Sequence, residues 1–478
     1  MEAVLHVSID RKSAYIKKSV PAVKRRTGPI EVRAASETQN RHRVIIPPPS
    51  SRPKGPRDSL GAIELIAEDW GAMSKRNRLI MGVSAVLAAV PALASGFGFY
   101  ENGAKASAQG GAWVARADDA SANWYNPAAL AHLAGREVQF GLNYLEVGSD
   151  TQFSLAPGVS FDAVSNTETP AHFYFSQKIN DRVAWGVGLN SPFGLVSEWE
   201  DAPVVFFSRR AELRTYLLNP NIAFKLSEQW SLAFGVDYLS AEIREFSRDE
   251  FEKTAVAPAG GPPPTFTSDL SGEGDAWGYN FAVQFKMKYF SLGGQYRSGF
   301  RPRIEGDIAI GGAPGPDASA DVSLPAQTML GAAWTGKWVD VEAGGYYTQW
   351  NAFKKLDIET GNPFTDVHLT ENWIGTWSYR LGLAFRLGHE MKHELRVGGV
   401  LDKTPIPVEF LRPSIPDSDR TGYTLGYGYL SNRWGIDVYA MHLQFDDVTA
   451  NGSPADGVIN GTYTSSILLA GVTAKYRF

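Results

Sequence analysis

The sequence predicts an all-β chain, a transmembrane antiparallel β-barrel of about 14 strands with a small N-terminal plug inside its lumen. Three observations predict it. Apolar and polar residues alternate with period two in segments that recur from Arg136 to the end. Short turns take turns with long polar or Gly/Pro-rich connections. A secretory signal precedes the whole array. The alternation is clearest in ILLAGVTAKYRF, where Leu468, Ala470, Val472, Ala474, Tyr476 and Phe478 form one row and Gly471, Thr473, Lys475 and Arg477 the other.

Composition narrows the choices. Hydrophobic residues make up 44% of the 478, charged residues 20%, and the formal net charge is -5, too polar throughout for a helical membrane bundle. That charge gives no argument for a nucleic-acid partner. The absence of cysteine excludes disulfides and thiolate metal sites. Aromatics at 12% and 48 glycines suit strands, tight turns and interfacial girdles.

Taken in order, residues 1–72 are basic and contain IIPPPSSRPKGPR, a stretch unsuited to packing a core. Residues 73–94 read as a signal peptide, with Lys75, Arg76 and Arg78 ahead of an apolar run from Leu79 to Val90 and Ala92-Leu93-Ala94 at the cleavage site. The run is shorter than the ~20 residues a membrane-spanning helix needs. Translation is therefore expected to start at Met73, which makes residues 1–72 an over-long gene start or a disordered extension. Residues 95–135 do not alternate. Small residues dominate, then Asn126 and Pro127 open NPAALAHL as a cap and first helical position. A compact plug fits this better than a loose leader.

Residues 136–478 form the barrel. WSLAFGVDYL sets Leu232, Phe234, Val236 and Tyr238 against Asp237, and RWGIDVYAM sets Trp434, Ile436, Val438 and Ala440 against Asp437. A soluble sandwich alternates in the same way, so the connections decide. Short turns at 179–182, 227–230, 335–338 and 431–434 alternate with long connections near 149–168, 196–210, 247–272, 305–318, 351–374, 402–418 and 446–463. This is the short-turn and long-loop sorting of outer-membrane barrels. Lipid offers backbone amides no partner, so only a helix or a closed ladder crosses it. The apolar rows then face lipid and the charged rows the lumen, with Trp230, Trp338, Trp434 and Tyr476 at the headgroup belts. In GLNSPFGLVSEW, Pro192 has no amide hydrogen to give a ladder and Gly194 no side chain, which predicts a kink or gap in the wall at Pro192, Phe193 and Gly194, or simply the end of a strand. In APVVFFSRR, Val204, Val205, Phe206 and Phe207 beside Arg209 and Arg210 read either as an outer patch that captures an amphipathic carboxylate or as the start of the fourth strand.

The chain resembles the FadL/TodX family of outer-membrane transporters of long-chain fatty acids and other hydrophobic compounds. Three separated stretches carry the resemblance, which spans the mature chain. Asn126-Pro127-Ala128, preceded by Ala117-Asp118-Asp119-Ala120, is similar to the family's NPA plug motif; Pro192-Phe193-Gly194-Leu195 to the segment where its third strand kinks inward; and Pro416-Asp417-Ser418-Asp419-Arg420 to a turn before a late strand. The resemblance implies a Gram-negative outer-membrane location, no cofactor, and passive uptake of hydrophobic compounds, foremost long-chain fatty acids. Outer loops would capture substrate, a lumenal pocket bind it, the plug shift, and substrate leave sideways at the kink. Aromatic hydrocarbons are the alternative substrate, and a general porin the alternative channel, although a plug argues against an open pore. The expected partners are an apolar small molecule and membrane lipid, and the expected state a monomer.

One motif points elsewhere. His389-Glu390-Met391-Lys392-His393 matches H-E-x-x-H, which binds zinc when both histidines share one helix face. The flanking segments alternate as strands, so the motif falls in a turn starting at Gly388. No serine sits beside a histidine with a third polar orienter, so no catalytic residue and no metal site are expected.

Overall fold

The computed structural model describes residues 96–148, 151–251, 264–361, 366–454 and 457–478; the expected extension and signal peptide lie outside them. Among these described residues, fourteen antiparallel strands form a closed wall. The first four are Arg136–Val147, Asn166–Glu168 continuing as Ala171–Lys178, Val183–Asn190 continuing as Gly194–Glu198, and Arg210–Lys225. Trp230–Phe251 and Thr265–Lys286 are the fifth and sixth. Four interrupted strands follow: Phe290–Arg297 with Arg303–Ile310, Ala313–Asp321 with Gln327–Thr335, Val339–Thr348 with Lys355–Glu359, and Val367–Thr370 with Thr376–Leu387. His393–Asp402, Arg420–Leu430, Trp434–Phe445 and Ser466–Arg477 complete the wall. It closes where the first strand pairs with the last, from Glu137 opposite Arg477 to Glu146 opposite Leu468. A closed ring has no sheet edge, so its ladder needs nothing from lipid.

Side-chain exposure sorts the two faces as the alternation requires. On the last strand Leu468, Val472 and Tyr476 are exposed while Thr473 and Lys475 are buried. Trp230, Trp338 and Trp434 are exposed at the short-turn ends. The lumenal row is polar without being open to water at this level: Lys475 and Asp437 are 5% and 2% exposed and pair with each other at 2.8 Å.

Three of the expected connections are partly ladder instead, among them 351–374, where Lys355–Ile358 pairs with Val367–Thr370. The fifth and sixth strands stay paired from Trp230 opposite Phe285 up to Phe251 opposite Thr265, which takes in 247–251 and 265–272 of the expected connection. Arg303–Ile310 and Ala313–Asp321 likewise pair across 305–318. Above a bilayer both faces of a hairpin are wet, so the hydrophobic alternation fades while the backbone bonding continues. A separate four-stranded outer sheet joins Gln152–Ala156 and Val159–Asp162 to Val448–Ala450 and Gly461–Thr464, over the closing pair of strands.

Candidate functional site

The third strand is where the wall opens. Its lower part bonds to the second strand only as far as Leu189 opposite Phe173, and its upper part, from Gly194, bonds to the fourth. Asn166–Glu168 of the second strand leans the other way, onto the first. The two rejoin above the gap, where the Val164 amide donates to the Glu198 carbonyl at 2.9 Å. Pro192, Phe193 and Gly194 therefore lie at a real parting of strands. Phe193 is turned in and buried, and its amide donates to the Thr215 hydroxyl at 3.1 Å.

The start of the described chain fills this parting. The Phe99 amide donates to the Pro192 carbonyl at 2.8 Å, and the Gly194 amide to the Phe97 carbonyl at 3.0 Å, with Gly98 bridged opposite Phe193. The segment thus satisfies backbone groups that the wall leaves unpaired. Phe97 is held by an aromatic cluster, its ring 4.7 Å from Trp350, 5.5 Å from Trp373 and 6.3 Å from Phe193. Beside it lies a cavity of about 430 Å³. Phe97, Phe99, Leu145, Phe193, Leu195, Leu213, Phe445, Ile467 and Leu469 supply its apolar lining, and Glu101, Glu168, Arg214, Asp417 and Arg420 its charges. A mostly apolar recess with a few placed charges is the usual form of a small-molecule site.

Behind the cavity the plug is anchored by buried polar contacts. Arg116 pairs with Asp340 at 2.5 Å, Glu101 with Arg380 at 3.3 Å and Asp119 with Lys475 at 3.4 Å, and the Ala115 amide donates to Glu342 at 2.7 Å. Wall glycines make room for it: a Cβ on Gly293, Gly382, Gly398 or Gly426 would run into Val114, Gln109, Gly110 or Ala108 of the plug. Asn126 caps the short 3-10 helix Pro127–His132 through its side-chain oxygen, which accepts from the Ala128 amide at 3.1 Å, while its amide nitrogen donates to the Val114 carbonyl at 2.7 Å. Pro127 takes the first helical position, and the buried Ala128 offers its carbonyl to Ser231 at 2.8 Å. Among the motif's three residues, Asn126 thus ties two parts of the plug together.

The segment from Val204 to Arg210 leads into the fourth strand, with Val204 in the same buried cluster as Phe97 and Trp350. Val204–Phe206 is a single 3-10 turn and the fourth strand begins at Arg210. Val204 and Val205 are buried; Phe206 and Phe207 are half-buried, with Phe206 stacked on Phe251 at 4.5 Å. Arg209 pairs with Asp249 at 3.1 Å, and Arg210 with Glu212 at 2.7 Å and with Glu198. Both guanidiniums are thus engaged by protein carboxylates. In Pro416-Asp417-Ser418-Asp419-Arg420, Asp417 is buried beside the cavity, accepts from the Thr404 hydroxyl at 2.7 Å, and burial pushes its carboxyl up to about 6.

His389 lies exposed in the turn that Gly388 opens with φ 79°, and His393 begins the next strand with its ring 5.1 Å from Tyr429. The two histidines share no helix face. Residues that sequence reasoning passed over are Phe97, Gly98, Phe99, Trp350, Trp373 and Arg214. Phe97-Gly98-Phe99 has an alternating pattern in SGFGFY, but three residues are too few to stand out from the small-residue run that follows.

Residues 85–478 match the family model for outer membrane protein transport proteins (OMPP1/FadL/TodX). The long-chain fatty acid transport protein of Escherichia coli O6:H1 is 26% identical over 406 residues, covering 76% of this chain and 89% of its own. A putative outer membrane protein of Neisseria meningitidis is 25% identical over 463 residues, covering 84% of this chain and 98% of its own. The fold is similar to that of a Pseudomonas aeruginosa FadL homologue, at 20% identity with a TM-score of 0.71 over 80% of this chain and 100% of that one. The Pseudomonas putida toluene transporter TodX is 15% identical with a TM-score of 0.61, over 80% of this chain and 99% of that one. A plugged and closed barrel whose sequence matches the family model over residues 85–478, the chain belongs to the OMPP1/FadL/TodX family, non-enzymatic outer-membrane transporters of hydrophobic compounds in Gram-negative bacteria.

Proposed function

We propose that this protein takes up long-chain fatty acids passively, binding them in the cavity beside Phe97 and releasing them sideways into the bilayer through the parting at Pro192, Phe193 and Gly194. Single observation carries the route: the N-terminal segment is bonded into the wall at the point where the ladder is interrupted, next to an apolar cavity. Withdrawing Phe97–Phe99 exchanges a few hydrogen bonds and ring contacts for an open path. The thermodynamic reason for a sideways exit is the solute. A chain of about a dozen methylenes is roughly 10 kcal/mol better off in lipid than in water, so release into an aqueous compartment would return that gain. Capture begins at the outer turn, where the half-buried Phe206 and Phe207, seated on the buried Val204 and Val205, offer apolar surface with Arg209 and Arg210 at its edge. Asn126, Pro127 and Ala128 hold the rest of the plug still while its first residues move. The barrel acts as a monomer, with membrane lipid around it.

The chain has no native cysteine, which allows a direct test. Gly98 and Phe193 face each other across an antiparallel bridge, a spacing compatible with a disulfide. The Gly98→Cys, Phe193→Cys variant should take up labelled oleate when reduced and stop when oxidised. Equal uptake in both states refutes the route. Aromatic hydrocarbons are the second reading, favoured by the prior engagement of Arg209 and Arg210 with carboxylates. Toluene uptake without oleate uptake by the reduced protein would select it.

A further inference from the structure

We propose that Arg214 receives the substrate's carboxylate at the outer mouth of the side opening, taking it in exchange for Glu168, and so selects acids over neutral compounds of the same length. The inference rests on the fatty-acid reading of the cavity above.

The parting of strands explains why these two residues meet. Arg214 is directly opposite Gly194 in the ladder, and Gly194 has no side chain to stand between strands. A Cβ placed there meets nothing nearer than the Leu213 carbonyl at 3.9 Å. The guanidinium of Arg214 therefore reaches across the third strand to the second and pairs with Glu168 at 3.1 Å. Both residues line the cavity, and both are partly exposed, at 34% and 25% of their side chains. A half-exposed pair is held weakly, so an incoming carboxylate replaces Glu168 at little cost. Arg420, the other arginine on the cavity, does not offer this. It is 11% exposed and confined between Asp402 at 3.2 Å and Asp417 at 3.8 Å.

The surrounding charges favour exchange over addition. Arg214 also contacts Glu212 at 2.9 Å, but Glu212 is shared with Arg210 at 2.7 Å and Arg244 at 3.6 Å and does not line the cavity. Arg210, Arg214 and Arg244 already face the carboxylates of Glu168, Glu198, Glu212, Glu242 and Glu245, so a substrate anion that joined this group while Glu168 stayed would add to an existing excess of negative charge. Position along the wall supports the assignment. Arg214 shares a strand row with Tyr216 and Leu218, which are exposed on the membrane side. Counting about 11 residues from Lys225 at ~3.4 Å each and a tilt of about 45° places it roughly 25 Å above the short-turn end, at the outer limit of the apolar band. An acid leaving there keeps its carboxylate at headgroup height on a cation while its tail enters lipid.

Two charge-removing variants with opposite expected effects test it: Arg214→Gln and Glu168→Gln, in phosphatidylcholine liposomes, whose headgroups carry no net charge. Initial uptake of labelled oleate is compared with that of methyl oleate. Arg214→Gln should lower oleate uptake about tenfold and leave methyl oleate within about twofold of wild type. Glu168→Gln should raise oleate uptake and leave methyl oleate alone, because it removes the competing anion. A structural latch would move both variants and both probes in one direction, and that result overturns the proposal. So does an unchanged oleate to methyl oleate ratio in Arg214→Gln. Wild-type protein that carries methyl oleate but no oleate overturns the fatty-acid reading along with it, whereas oleate uptake with an unshifted ratio overturns this role alone.

Discussion

Placing a side chain at Gly194 is the sharpest perturbation of the side opening. In Gly194→Val the new Cβ has open space around it, with its nearest neighbour 3.9 Å away, and the residue already lies in an extended strand paired with Arg214. The folded barrel should therefore accept valine within about 0.5 kcal/mol, since surface changes free of clashes rarely cost more. The transport barrier is different. An acyl chain passing this point must push past three added carbons, an overpacking penalty of about 1–3 kcal/mol that arises only while the passage is occupied. That corresponds to a rate lowered by roughly 5- to 150-fold. Adding Pro192→Val keeps the carbonyl that accepts from Phe99 and gives the strand an amide hydrogen, which should close the parting further. Labelled oleate uptake into liposomes reads the rate, and the resistance of the barrel to unfolding in detergent reads the fold. Unchanged uptake in a folded Gly194→Val protein would refute sideways exit at this point.

Three further outcomes follow from the same geometry. Asp340→Ala strands Arg116 in a buried setting and should loosen the plug by about 3–5 kcal/mol, seen as faster amide exchange over residues 104–120 with the wall strands unaffected. Gly398→Val forces its Cβ into the backbone at Gln109 and Gly110, so the plug must shift and sugar permeation in liposome swelling should rise above wild type. Asp417 has its carboxyl raised from 3.8 to about 6 by burial, so the protonated acid is the form the fold prefers. Its contribution is present below about pH 4 and is lost as pH rises through about 6, at most about 3 kcal/mol. Asp417→Asn should remove that loss, making the variant more stable than wild type at pH 7 but not at pH 4 in denaturant titrations.

The wall was legible because lipid imposes a strict rule on one face of every strand. Period two put Leu468, Val472 and Tyr476 on one face, and the sorting of short turns and long connections, with lipid offering the backbone no partner, turned that face outward in a closed ladder. Pro192 could be marked as a position with no amide hydrogen to give a ladder, which left a kink and a simple strand end both open. What fills the break was not legible. Phe97, Gly98 and Phe99 bond to residues almost a hundred positions away, and no local pattern records that pairing. Arg214 escaped notice because its meeting with Glu168 depends on strand register and on the gap between them. The outer reaches of the hairpins were misread as loops because water on both faces removes the contrast on which alternation depends.

The ring's last seam has a consequence for how the molecule comes into being. The plug's partners Asp340, Arg380 and Lys475 sit on strands nine, ten and fourteen, so the stopper finds its full socket only when the carboxyl-terminal part of the chain is in place. Arg136–Val147 and Ser466–Arg477 pair to close the ring around it, with the outer sheet over the join. The two ends of the chain are thus tied to one another through the stopper, and a cylinder lacking its N-terminal segment would leave Asp340, Arg380 and Lys475 without these plug partners.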